Sequence, residues 1–256
     1  MVTYLLKKSY LYKDFKEVNF KDLWNSNGVF TTMWIFGKPP KIFFFKEHIK
    51  NLTKSIKAYN FNKPNIEKKI FKIIKLNIKK NNKYNHLLRV AVNNSIISIS
   101  LRKRITPKLN FNIKLVNLKR VKPEHKNLKY KKILNHLYKM NSSTSDIALC
   151  VDKKILESGT SNMLFVSNNK IYSPINKFYK GITFKFFEKK IGKIIKKNIF
   201  INTLHNYDEI ILIGSGKGVS SVNTINDTSW KRKSLKFYNK LSKIYKIEKI
   251  KCLTYR

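Results

Sequence analysis

At 256 residues, 42% of them hydrophobic and 13% aromatic, the chain can bury one or two sizeable cores, which argues against a disordered polypeptide. Its 55 Lys and Arg against 14 Asp and Glu give a formal charge of +41, a balance that suggests nucleic acid or an acidic membrane as partner. The lysines run from Lys7 to Lys251 among Asn, Ile, Phe and Tyr without forming a stripe, so a basic nucleic-acid-binding protein stands only as a distant alternative.

No window reaches the roughly 18 apolar residues of a membrane span, and the N-terminus lacks a basic segment followed by a long apolar one. Cys150 and Cys252 show neither metal-site nor disulfide spacing. A reduced, cytoplasmic protein without a membrane partner is expected.

Residues 28–34 and 41–45 are short aromatic or β-branched runs separated by Gly37-Lys38-Pro39-Pro40, and predict a hairpin. Residues 47–59 carry Ile49, Leu52, Ile56 and Tyr59 at helical spacing, and 65–78 carry Ile66, Ile70, Ile73 and Ile74. Strands over 87–92 and 96–101 follow, turned by Asn93-Asn94-Ser95. Residues 105–110 read as a linker between an N-terminal α+β domain, 1–104, and a larger one, 111–256. In the second, helices are expected over 127–138, 181–196 and 229–246, and strands near 147–151, 163–166, 170–173 and 209–213.

Four segments could carry chemistry. Lys126, in His125-Lys126-Asn127, is one lysine among many and alone would be surface decoration. Glu157 lies in a turn of small residues, Glu157-Ser158-Gly159-Thr160-Ser161-Asn162, between two apolar strands, where an inward carboxylate needs a cation. Lys180-Gly181-Ile182-Thr183 opens a helix whose free N–H groups and hydroxyl suit a phosphate. Gly214-Ser215-Gly216-Lys217-Gly218 follows an apolar strand, yet a Walker loop would need Gly at Ile211 and Ser or Thr at Gly218. The dinucleotide fingerprint fails too, its third Gly arriving one residue early with no helix behind it.

In this order, and with Gly28-Val29-Phe30-Thr31-Thr32 and Glu47-His48-Ile49 ahead of them, the segments resemble the class IV, or fold-type IV, aminotransferase family across nearly the whole chain. The resemblance implies an α+β, two-domain enzyme like D-amino acid aminotransferase, with its site in the interdomain cleft, pyridoxal 5'-phosphate (PLP) as cofactor, and a homodimer. It makes Lys126 the Schiff-base lysine and pairs Glu157 with the pyridine nitrogen. It assigns cofactor binding also to Asn51, Asn162, Gly181, Ile182, Thr183, Gly214 and Ser215, and substrate binding to Phe30, Thr31, Asn93 and Gly216.

Asn51 departs from the family, standing where an Arg usually meets the phosphate, with Lys50 or Lys54 as point-charge substitutes. Asn93-Asn94 and Trp34 also replace familiar arginine positions. The implied activity is either 4-amino-4-deoxychorismate lyase, whose Phe-Thr-Thr run Phe30-Thr31-Thr32 follows, or a branched-chain or D-amino acid aminotransferase. The small-molecule substrate is accordingly aminodeoxychorismate or an amino acid.

Overall fold

The computed structural model describes residues 3–254. The chain forms two compact units, one comprising the residues up to Arg104, His125–Lys131 and the stretch from Lys251, the other Ile105–Glu124 and Lys132–Ile250.

The first unit contains β1 (Tyr4–Leu11), β2 (Glu17–Val18), β3 (Gly28–Gly37), β4 (Lys41–Ile42), α1 (Phe45–Ala58), α2 (Ile66–Asn77), β5 (Tyr84–Asn93) and β6 (Ile96–Lys103). Its antiparallel sheet has the order β2-β1-β6-β5-β3-β4. Strand β3 is rich in β-branched and aromatic residues and pairs with β5 without a break from Gly28↔Asn93 to Gly37↔Tyr84. The helices bury the apolar stripes read from their spacing, Ile49, Leu52 and Ile56 in α1 and Ile66, Ile70, Ile73 and Ile74 in α2. The second hairpin strand is shorter than expected, because the chain turns into α1 at Phe45.

The second unit contains β7 (Phe111–Asn117), α3 (Lys131–Leu137), β8 (Ser145–Val151), β9 (Lys154–Ser158), β10 (Asn162–Ser167) and β11 (Lys170–Pro174). It continues with α4 (Ile182–Ile191), β12 (Ile195–Lys197), β13 (Ile199–Phe200), β14 (Glu209–Gly214), β15 (Gly218–Ile225) and α5 (Lys236–Ile250). The mixed sheet runs β12-β11-β10-β14-β15-β7-β8-β9-β13 over a core that includes Phe111, Phe165, Leu212 and Trp230.

Three expected helices are corrected. Residues 127–130 are not helical: Asn127 forms an isolated β-bridge and Leu128 a bend, so α3 begins only at Lys131. Helix α4 stops at Ile191 because Gly192 takes φ 77°, and the residues expected to prolong it form β12. Helix α5 starts seven residues late, where the buried Glu209 carboxylate on β14 accepts the N–H groups of Phe237 and Tyr238, both at 2.8 Å. The division at 105–110 is also incomplete, since residues 125–131 rejoin the first unit by pairing with β3.

Candidate active site

In the first unit, Phe30 donates its N–H to the Lys126 carbonyl at 2.8 Å, and Leu128 donates to the Gly28 carbonyl at 2.9 Å. Val29 and Asn127 thus form an antiparallel bridge on the edge of β3. A Cβ at Gly28 would lie 2.5 Å from the Val92 carbonyl and 2.6 Å from Leu128, so only glycine admits this approach. The half-buried Lys126 carries its Nζ 5.1 Å from the Phe30 ring centre. Phe30 packs edge-on against Trp24 at 4.9 Å and against Tyr130 at 5.8 Å.

Thr31 is buried, its Oγ1 2.7 Å from His48 Nδ1 on α1. Burial, and secondarily the positive charge of Lys126, push the His48 imidazole down to about 3, so it is neutral near pH 7. Asn93 spends its Oδ1 on the N–H groups of Ser95 and Ile96 at the hairpin turn. Asn51 lies half-buried on α1, and Lys50 and Lys54 are exposed. At Trp34, Nε1 donates to Asn85 Oδ1 at 2.9 Å and the Arg104 guanidinium stacks on the ring at 4.2 Å.

In the second unit, Glu157 is 2% exposed, and Arg120 holds it through Nε at 2.8 Å and Nη2 at 3.2 Å. Arg120 is the cation that the inward carboxylate required, and the sequence reading missed it. Its only local signal is membership of the Leu118-Lys119-Arg120 run, indistinguishable there from surface charge. A two-pronged guanidinium bond fixes the plane of the carboxylate as a lysine would not.

Asn162 links the next two pieces. Its Oδ1 accepts the Gly181 N–H at 3.1 Å and its Nδ2 donates to the Tyr179 carbonyl at 2.6 Å, holding the start of α4 against β10. Gly181 caps α4 without a side-chain bond, and Thr183 Oγ1 is buried with no hydrogen-bond partner among the described residues. Gly214, Ser215, Gly216 and Lys217 form the turn from β14 to β15, where a Cβ at Gly214 would come within 3.0 Å of Ser161 Oγ. An orphaned hydroxyl beside an uncapped helix start, together with a glycine turn, fits the phosphate of PLP, and a fixed carboxylate at Glu157 fits its ring nitrogen.

The amino-transferase class IV family model matches residues 28–225, a span that includes Lys126 and all the second-unit residues just described. No curated protein matches by sequence. A branched-chain aminotransferase from Thermoproteus uzoniensis, solved with norvaline, is similar over 93% of both chains, at 16% identity and a TM-score of 0.76. A putative branched-chain amino acid aminotransferase from Thermotoga maritima also has 16% identity and a TM-score of 0.76, over 95% of this chain and 96% of that one. A hypothetical aminotransferase from Mycobacterium tuberculosis in its PLP-bound form has 12% identity and a TM-score of 0.70, over 94% and 98%. At these identities the likeness establishes the fold, and the family match establishes more: the chain is an enzyme of the amino-transferase class IV family, whose cofactor is pyridoxal phosphate.

Proposed function

We propose that the chain is a lyase that converts 4-amino-4-deoxychorismate to 4-aminobenzoate and pyruvate. The observation supporting this reading is the wall beside the Lys126 amine, where Phe30 stands against Trp24 and Tyr130 and suits a flat six-membered ring. The neighbouring position presents no acid, because it is Thr31 with its hydroxyl committed to His48.

PLP, when bound, withdraws the electron pair left as the substrate carbon loses its proton. Lys126 would hold the cofactor through its amine, be freed when the substrate amine takes its place, take the proton from the carbon bearing nitrogen, and regain the cofactor as 4-aminobenzoate leaves. The bond from the ring to the enolpyruvyl oxygen then breaks, and one proton goes to the departing group, which becomes pyruvate. Glu157 would keep a proton at the pyridine nitrogen of the bound cofactor, its carboxylate plane fixed by Arg120. Thr183 Oγ1 and the backbone N–H groups of Ile182, Thr183 and Ser215 would receive the phosphate.

A second reading, a branched-chain aminotransferase, is favoured by the activities named for two similar structures. The apolar wall would also receive an aliphatic side chain. Supplying aminodeoxychorismate and measuring 4-aminobenzoate with pyruvate tests the first reading; forming glutamate from a branched-chain amino acid and 2-oxoglutarate, without 4-aminobenzoate, would replace it by the second. The same reading takes the enzyme to be a cytoplasmic homodimer, checked by light scattering and cell fractionation. Among the described residues no helix is long and apolar enough to cross a membrane.

A further inference from the structure

The Gly214–Gly218 turn lies against a carboxylate that the cofactor roles leave unused. Asp146, at 0% exposure, accepts hydrogen bonds from Ser158 Oγ at 3.0 Å and Thr160 Oγ1 at 2.7 Å through Oδ2, and from the Ile147 N–H at 2.8 Å through Oδ1. Ser158 Oγ in turn accepts the Ser161 N–H at 3.0 Å, so this carboxylate organises the turn that follows Glu157. A full negative charge buried close to a phosphate site would repel a phosphate dianion, and low surrounding polarity strengthens the repulsion. Lys217, in the glycine turn itself, is 9% exposed, with its Nζ 3.5 Å from Asp146 Oδ2 and 4.4 Å from the Phe111 ring centre.

We propose that Lys217 is a positioning residue for the phosphate end of the cofactor, cancelling the charge of Asp146 and tying the Gly214–Gly218 turn to the segment that carries Glu157. The proposal rests on the reading of that turn as part of the phosphate cradle. It gives this chain a lysine whose work is to neutralise an acid rather than to touch the phosphate, and it makes the ring-nitrogen and phosphate elements one preformed body.

The test measures PLP and unphosphorylated pyridoxal binding by visible absorbance in the full chain, with the melting temperature of each variant recorded. Lys217→Met is expected to weaken PLP about tenfold and leave pyridoxal unchanged, because only the phosphate feels the uncompensated Asp146 charge. Lys217→Arg should retain PLP affinity, and adding Asp146→Asn to Lys217→Met should recover most of what was lost, a coupling that mere loosening would not produce. Equal losses for both ligands, or a double variant worse than Lys217→Met, would overturn the proposal, as would a folded Lys217→Met that binds PLP normally. Failure of the unaltered protein to bind PLP would instead strike the cofactor assignment.

Discussion

The residue groups in the two units are built on opposite principles. Around Lys126 the first unit offers mainly rings, a neutral imidazole and a threonine, with the cation Arg89 stacked on Trp24 and paired with Asp22; around Glu157 the second offers Arg120, Asp146 and Lys217, each charge buried and paired. The departures from the family pattern, Trp34, Asn51 and Asn93, all lie in the first unit, whereas Glu157, Asn162, Gly181, Thr183, Gly214 and Ser215 lie in the second. Charges taken out of water tolerate little change, since removing one partner strands the other. A wall of rings can be reshaped at smaller cost.

The largest expected effect tests the first unit. Lys126→Ala should lower kcat by about a thousandfold or more and abolish the visible band that PLP gives with the unaltered protein. A persistent band would move the attachment to another lysine. In the second unit, Arg120→Met leaves Glu157 buried and unpaired, and should cost about 3–5 kcal/mol in urea unfolding. The added change Glu157→Gln should restore much of that stability; if it restores none, the two side chains are not coupled.

The neutral imidazole predicts a pH response specific to the first unit. His48 ionises at about 3 in the folded chain and at 6.5 when unfolded, so between these values the unfolded state binds the extra proton. Stability should therefore be full above pH 6.5 and fall by roughly a few kcal/mol as the pH drops towards 3. His48→Gln should flatten that slope in urea titrations at successive pH values, and an unchanged slope would assign it elsewhere. Smaller still, Gly28→Ala should cost about 1–3 kcal/mol in the same unfolding measurement, by forcing β3 away from Val92 and Leu128.

Much of the first unit was legible because α1 and α2 write their buried faces at helical spacing. The second was less so. Strand β15 buries Ser220 and Ser221, leaving no apolar run to read, and the start of α5 is set by Glu209 from a different element. Glu157 could be picked out by the small residues that follow it, although it lies on β9 rather than in the expected turn, but Arg120 could not, since only tertiary folding selects it from the other basic side chains. Residues 127–130 are expected to open a helix and do not, because β3 has backbone groups to share with them.

That last pairing sets an order of events during synthesis. A nascent chain ending at Arg104 has every strand of the first sheet, yet the Phe30 N–H and Gly28 carbonyl still face outward from an open edge. Until Lys126 and Leu128 have left the ribosome those two groups lack their partners, so the arrival of that segment also closes this stretch of the β3 edge.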